Sequence, residues 1–134
     1  MDTNSILLRN KHIWLEHVLA ENRREVEKLM DTLVEDCVYE IVPLGQVLHG
    51  KKAVAEFYQS LWNAVPDAKL DLQHHYISEN GVVEESVLVG NLVGPIFGFH
   101  PNGKAISVPV AIFFPIRDGK ILGERIYFDP AKFK

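Results

Sequence analysis

The sequence predicts an α+β protein in which helices come first and an antiparallel sheet follows. Apolar residues recur at helical spacing in the first half of the chain. After Pro66 the pattern changes to period-two alternation, with short turn sequences between strand-like segments. Helices followed by a meander of strands favour α+β over a parallel α/β fold. The 134 residues suit a single domain over residues 1–134, without a linker or an internal repeat.

Three helices and one strand are predicted before Pro66. The helices cover about residues 5–20, 23–33 and 50–62, because apolar residues recur three or four positions apart in each. Between the second and third helices, the stretch CVYEIVPLG (residues 37–45) predicts a strand, which its Pro and Gly bring to an end.

Four strands are predicted after Pro66, and each is joined to the next by a turn or loop. Residues 68–78 alternate between apolar and polar side chains, and the turn ENG follows them. Further strands are predicted at residues 82–94, 104–116 and 120–129. A loop rich in Gly and Pro and the turn RDG separate these last strands, so the four segments form a meander.

One of these strands contains SVPVAIFFPI, which is apolar at almost every position. Such a strand is expected to be covered on both faces of its sheet. The helices can cover one face, but the chain is too short to supply another layer for the other. We therefore expect a homodimer formed through the outer face of the sheet. The alternative is a central strand whose second face is covered by the chain's own loops.

Composition argues against several classes of function. The net charge of −4 disfavours nucleic acid or an anionic membrane as a partner. Cys37 is the single cysteine, so an internal disulfide is excluded and a core position is expected. The absence of a signal-like or membrane-length apolar segment predicts a cytoplasmic protein. His74 and His75 are adjacent and would point to opposite faces of a strand, so we expect no metal site.

Four motifs carry a resemblance that covers about residues 13–129. They are GKKAVAEFY from Gly50, PNGK from Pro101, DGKI from Asp118 and YFD from Tyr127. Together they resemble the nuclear-transport-factor-2-like superfamily, and are most similar to SnoaL-like polyketide cyclases and limonene-epoxide-hydrolase-like proteins. The resemblance implies a cone-shaped, cystatin-like roll, in which N-terminal helices pack on a curved, mostly antiparallel sheet and enclose one apolar pocket. Because this fold hosts isomerases, dehydratases, cyclases, hydrolases and binders, it predicts function only broadly.

The end of the last strand carries the candidate catalytic residue. Alternation puts Arg125, Tyr127 and Asp129 on one face of that strand. In SnoaL-like cyclases an Asp that matches Asp129 is the acid–base group at the floor of the pocket, so the resemblance implies that Asp129 is catalytic. The alternative is a structural carboxylate that caps the following PAKF turn or pairs with Arg125 or a Lys.

Further side chains are expected to line the pocket. Glu84 and Glu85 point to opposite faces of their strand, and we favour Glu85 as the one that faces inward. The predicted substrate-binding residues are His17, Tyr39, Trp62, Glu85, Arg125 and Tyr127.

Two specific activities of the superfamily are disfavoured when their residues are carried over. For the ketosteroid isomerases, the Asp base falls on Ile41, the Tyr on His17 and the second acid near Ala111. Ile41 cannot abstract a proton. For the epoxide hydrolases, the Arg and second Asp of an Asp–Arg–Asp arrangement fall near Glu85 and Val87, so the group that protonates the leaving alkoxide is lacking.

We therefore predict a cofactor-independent acid–base enzyme of the SnoaL-like cyclase or isomerase type that acts on a small apolar carbonyl compound. An aldol closure requires an acid–base group, a shaped apolar pocket and donors that stabilise an enolate. Leu92 replaces a His found in many SnoaL-like sequences, which fits a more apolar ligand. The alternatives are a non-catalytic protein that binds a small hydrophobic ligand, an epoxide-hydrolase-like enzyme and an oligomerisation module.

Overall fold

The computed structural model describes all 134 residues and shows three α-helices beside one six-stranded mixed sheet. The helices and strands are, in chain order, α1 (Thr3–Asn22), α2 (Val26–Asp31), β1 (Leu33–Ile41), β2 (Gln46–His49), α3 (Gly50–Ala64), β3 (Lys69–Ser78), β4 (Gly81–Asn91), β5 (Ala105–Arg117) and β6 (Lys120–Phe128). Short 3-10 helices cover Val42–Leu44 and Pro130–Phe133. The predicted α+β class is confirmed.

The strands lie in the order β2-β1-β6-β5-β4-β3. Strands β3 to β6 form the predicted antiparallel meander. Strand β1 pairs in parallel with β6, and β2 pairs antiparallel with β1. The parallel pairing brings the early part of the chain next to its last strand, so residues far apart in sequence meet at the β1–β6 pair.

Two features near the start of the sheet differ from the prediction. Strand β1 begins at Leu33, four residues before the predicted start, and the second helix is correspondingly reduced to Val26–Asp31. Leu33 is buried in the strand, although its spacing also fits the apolar stripe of a helix. Strand β2 was not predicted, because four residues are too few to show a period-two pattern.

The main core lies between the helices and the inner face of the sheet. Trp14 of α1, Leu29 of α2 and Val54 of α3 are completely buried in one cluster with Tyr39 and Ile41 of β1. A second cluster, at the other end of α3, includes Leu88, Val108 and the C-terminal Phe133. All three helices therefore share one core with β1 on the inner face of the sheet.

Strand β5 shows how the two faces of the sheet differ. Val108, Ile112 and Phe114 are buried on the helix side, whereas Phe113 on the opposite side is only partly buried. The outer face is therefore apolar and incompletely covered in a single chain. The homodimer expected to cover it stays a prediction.

Two expectations from composition concern Cys37 and the membrane. Cys37 is completely buried in the main core, as predicted, and burial raises the pKa of its thiol. None of the helices has both the length and the apolar character that crossing a membrane would require.

Gly123 allows β1 and β6 to approach each other closely. Its φ angle is +151°, and a Cβ at this position would lie 1.8 Å from the carbonyl oxygen of Val38. Any side chain would push the two strands apart. Glu124 follows directly, so this approach helps to fix the place at which the Glu124 side chain enters the core.

Candidate functional site

A cavity of about 60 Å³ lies between the helices and the sheet. Fifteen residues line it, and all but two are hydrophobic. The two exceptions are Glu21 of α1 and Glu124 of β6, and neither Lys nor Arg contributes to the lining. Five of the lining side chains are aromatic: Phe57, Tyr58, Phe97, Phe128 and Phe133.

A buried hydrogen-bond network meets the cavity at its two carboxyl groups. Nε2 of His17 lies 2.8 Å from Oε2 of Glu124 and 3.8 Å from Oε1 of Glu21. The Tyr58 hydroxyl donates to the same Glu124 oxygen at 3.0 Å. The Tyr39 hydroxyl lies 2.6 Å from that of Tyr58. Because the hydrogen of Tyr58 is used by Glu124, Tyr39 is the donor in this second contact.

Thr32 fixes the hydrogen on the other nitrogen of His17. The Thr32 hydroxyl donates to the carbonyl oxygen of Leu29 at 2.6 Å, so its oxygen is left to accept. Nδ1 of His17 lies 2.7 Å from this oxygen and therefore carries a hydrogen. The contact between Nε2 and Glu124 then needs one more proton, held by either the imidazole or the carboxyl group.

The secondary structure explains why these groups meet. His17 and Glu21 are four residues apart in α1, so their side chains project from the same face of the helix. Glu124 points inward from β6, which pairs with the strand that carries Tyr39. Tyr58 reaches the same point from α3. The site is therefore assembled from α1, α3, β1 and β6.

The electrostatics of the network favour a neutral Glu21. Its side chain is only 12% exposed, and burial raises its pKa well above the usual range. The negative charges of Glu124 and Glu84 add to this effect. Burial also raises the pKa of Tyr39 and that of Tyr58, with a further contribution from Glu124. Both tyrosines therefore remain hydrogen-bond donors at neutral pH.

Glu84 of β4 is a third buried carboxyl group, although it does not line the cavity. It accepts hydrogen bonds from Nε1 of Trp14 at 3.0 Å and from the Ser86 hydroxyl at 2.7 Å. Burial raises the pKa of Glu84, and these two hydrogen bonds partly oppose that shift. The expectation that Glu85 faces inward was wrong, because β4 buries positions 82, 84, 86 and 88 and leaves Glu85 exposed.

Comparison with known families identifies the chain. The family model described as SnoaL-like polyketide cyclase matches residues 9–133. This chain belongs to the SnoaL-like polyketide cyclase family. The predicted resemblance to this family is therefore confirmed.

Solved structures agree with this SnoaL-like assignment at the level of fold. A candidate SnoaL-like polyketide cyclase from Jannaschia sp. CCS1 has a TM-score of 0.84 and 20% identity, covering 96% of this chain and 91% of its own. A candidate polyketide cyclase from Xanthomonas campestris pv. campestris has a TM-score of 0.83 and 24% identity, covering 95% of each chain. A protein of ketosteroid isomerase-like fold from Catenulispora acidiphila, solved in complex with trimethylamine, has a TM-score of 0.77 and 16% identity, covering 90% of this chain and 88% of its own.

The structure places Asp129 outside the cavity of this SnoaL-like fold. Asp129 is exposed, and its carboxylate accepts a hydrogen bond from the backbone N–H of Ala131 at 3.0 Å, capping the last 3-10 helix. Its expected position at the pocket floor is therefore corrected. The face of β6 that meets the cavity carries Glu124 and Phe128, and alternation directs Asp129 away from it.

Arg125 and Tyr127 share the outward face of β6, away from the SnoaL-like cavity. The Arg125 guanidinium lies 5.1 Å from the ring centroid of Phe113, and the Tyr127 side chain contacts the same ring. Tyr127 is 42% exposed. These residues and Glu85 are therefore separated from the cavity by the sheet itself, which corrects their expected place in the pocket lining.

The structure brings together the other three predicted substrate-binding residues. His17 and Tyr39 belong to the buried network, and the ring of Trp62 stacks on Tyr58 at 5.7 Å. None of the three lines the cavity directly. They contact Glu124 and Tyr58, which do line the cavity. A direct contact of these three residues with substrate stays a prediction.

Sequence reasoning missed Glu21, Glu124 and Tyr58. A usable signal for Glu21 was its spacing of four residues from His17 on a predicted helix. The signal for Glu124 was its place on the apolar face of the last strand, which also carries Phe128. A carboxyl group among apolar residues requires a hydrogen-bond partner, and the partner of Glu124 is His17, 107 residues earlier in the chain.

The same three groups, His17, Glu21 and Glu124, are close enough to be considered as metal ligands. Their nearest ligand atoms all lie within 4.8 Å of one another. The 2.8 Å separation of Nε2 and Oε2 is, however, that of a hydrogen bond with a proton between the two atoms. Acid–base chemistry accounts for this geometry, and the absence of a metal or cofactor stays a prediction from the sequence.

Proposed function

We propose that this protein is a cofactor-independent acid–base enzyme of the cyclase or isomerase type, acting on a small apolar carbonyl compound in the cavity. The observation that carries the proposal is the pair of Glu21 and Glu124 within an otherwise hydrophobic lining. Two carboxyl groups whose surroundings favour different protonation states are the usual basis of paired acid and base roles.

Glu124 is the proposed base. It receives hydrogen bonds from Tyr58 and, when the shared proton is on the imidazole, from His17. Both donors stabilise the carboxylate form. Because Glu124 also lines the cavity, its carboxylate can remove a proton from the carbon next to a substrate carbonyl.

Glu21 is the proposed acid. Its raised pKa keeps it protonated, and its carboxyl group faces the same cavity as Glu124. It can donate its proton to the carbonyl oxygen while Glu124 removes one from carbon, which yields an enol without a free enolate. Returning a proton at another carbon gives an isomer, and attack of the enol carbon on a second carbonyl gives a ring.

The alternative function is binding without turnover. A hydrophobic cavity with few polar groups is typical of ligand-binding sites in general. The neighbour from Catenulispora acidiphila, solved in complex with trimethylamine, also favours a small-ligand site in this chain. The epoxide-hydrolase-like alternative is weaker, because no Arg lines the cavity to complete an Asp–Arg–Asp arrangement.

Comparison of Glu124→Gln with Asp129→Asn tests the proposal. Both changes keep the side-chain shape and remove proton transfer, but only the first affects the cavity. On a panel of small linear and cyclic ketones, Glu124→Gln should lower turnover by a factor of roughly 10² to 10⁴. Asp129→Asn should leave turnover unchanged.

Two results would contradict this assignment. Loss of turnover in Asp129→Asn but not in Glu124→Gln would indicate that Asp129 is the catalytic residue, as the family resemblance implies. Binding of panel compounds with no conversion by the unchanged protein would favour the binding function.

A further inference from the structure

We propose that the cavity binds small alkylammonium cations, which its aromatic walls surround and its two carboxyl groups attract. The proposal shares the cavity with the proposed function but does not depend on turnover. It rests on three features of the lining: the arrangement of rings, the balance of charge and the size of the space.

The aromatic rings form a connected wall around the cavity. Phe97, from the loop after β4, lies with its ring centroid 6.4 Å from that of Phe57 and 5.4 Å from that of Phe128. Phe57 in turn lies 5.6 Å from Tyr58. The faces of such rings carry partial negative charge, and groups of them are a known means of holding quaternary ammonium ions.

The charge around the cavity is one-sided. The titratable groups that face Glu21 are His17 on its own helix, Tyr58 of α3, Tyr39 of β1, Glu84 of β4 and Glu124 of β6. His17 is the only one of them that can be a cation, and it is already engaged by Glu124 and Thr32. An ammonium ion would therefore supply a positive charge that the lining lacks.

Binding of such a cation should release a proton. The neutral carboxyl group of Glu21 loses its proton to solvent and becomes the carboxylate partner of the bound ammonium. The exchange is balanced, because one positive charge enters the site as another leaves it. A neutral ligand of the same shape brings no positive charge to stabilise the carboxylate, so it should leave this proton in place.

The size of the cavity limits the ligand to a small head group. A space of about 60 Å³ suits a methylated ammonium group better than a large ring system. The polar end of the cavity offers no Lys, Arg or amide group to hold an anion. Anionic ligands are therefore the class that this lining accepts least well.

Calorimetric titration with choline and with its uncharged carbon analogue, 3,3-dimethylbutan-1-ol, tests the proposal. Choline should bind at least about tenfold more tightly, since both ligands fill the same space and only one is charged. Titration at pH 7 in two buffers of different ionisation enthalpy should show up to one proton released per choline. The alcohol should release none.

Variants show whether the cation enters this cavity. Glu21→Gln should abolish proton release and weaken choline binding, whereas Glu27→Gln, on an exposed part of α2, should change neither. Phe97→Leu should weaken choline binding more than alcohol binding, and it provides a second test if Glu21→Gln fails to fold. Equal affinity for the two ligands, or choline binding that all these variants leave unchanged, would overturn the proposal. Because the readout is binding, failure here leaves the turnover test of Glu124→Gln unaffected.

Discussion

His17 and Glu124 are 107 residues apart in the chain, yet their side chains meet at 2.8 Å in the buried core. This contact joins the first long helix to the last strand. Thr32 fixes one nitrogen of the imidazole, and Tyr58 donates to the carboxylate from the other side. Both partners are buried, so removing either side chain leaves the other in the core without its hydrogen-bond partner.

His17→Leu should therefore destabilise the fold strongly. Removing one partner leaves the buried Glu124 without its nearest donor, and a broken buried pair typically costs about 3–5 kcal/mol in free energy of unfolding. Urea denaturation followed by fluorescence measures the loss. His12, also in α1, pairs with Glu16 at 2.9 Å on the surface, so His12→Leu is a matched control with an expected effect below about 1 kcal/mol. Equal losses in the two variants would contradict a stabilising role for the buried contact.

Thr32 should control the position of the hydrogen on His17. Thr32→Val leaves Nδ1 without an acceptor, which should cost about 1–3 kcal/mol and remove the preference for a hydrogen on that nitrogen. Nitrogen NMR of the imidazole reports the change directly. Thr32→Ser keeps the hydroxyl and should restore the chemical shifts of the unchanged protein. If Thr32→Val leaves those shifts as they were, Thr32 does not fix the tautomer.

The sequence predicted the meander well but could not predict which carboxyl groups are buried on the helix side of the sheet. The clearest case is β4, where VVEESVLV is apolar on both faces because the strand lies inside the sheet, so no alternation separates Glu84 from Glu85. In β6 the alternation was correct, yet the family resemblance directed attention to Asp129 on the wrong face. Glu21 and Glu124 meet at the cavity only through the parallel β1–β6 pairing and the packing of α1, which local patterns do not encode.

The stability of the protein should fall as pH rises above about 4.5. The pKa of Glu21 is raised in the folded state, so the folded protein retains a proton that the unfolded chain releases above the usual Glu value of 4.5. The loss begins there and continues until pH passes the folded pKa, at about 1.4 kcal/mol for each unit of difference. Glu84 contributes in the same direction.

Glu21→Gln tests this pH dependence. Relative to the unchanged protein, the variant should gain stability progressively as pH rises above about 4.5 towards the raised pKa of Glu21, because it has no proton to lose. Chemical denaturation at each pH provides the measurement, and Glu27→Gln, exposed on α2, is the control. A constant difference between Glu21→Gln and the unchanged protein across this range would contradict a raised pKa for Glu21.

The outer face of the sheet should form a homodimer, since Phe113, Ala111 and Tyr127 leave an apolar surface there that one chain does not cover. Sedimentation at tens of micromolar should give about twice the chain mass of 15.2 kDa. Ala111→Glu places a carboxylate beside Glu85 at the centre of this face, and burying it should cost several kcal/mol and dissociate the dimer.

Phe113→Glu should have the same effect, although Arg125 lies next to this position and can partly neutralise the new charge. The control is Leu8→Glu, because Leu8 is 69% exposed on α1, which packs against the other face of the sheet. It should leave the sedimentation coefficient unchanged. A monomer in the unchanged protein would contradict the predicted dimer. A dimer that survives Ala111→Glu but not Leu8→Glu would place the interface on the helix side of the sheet.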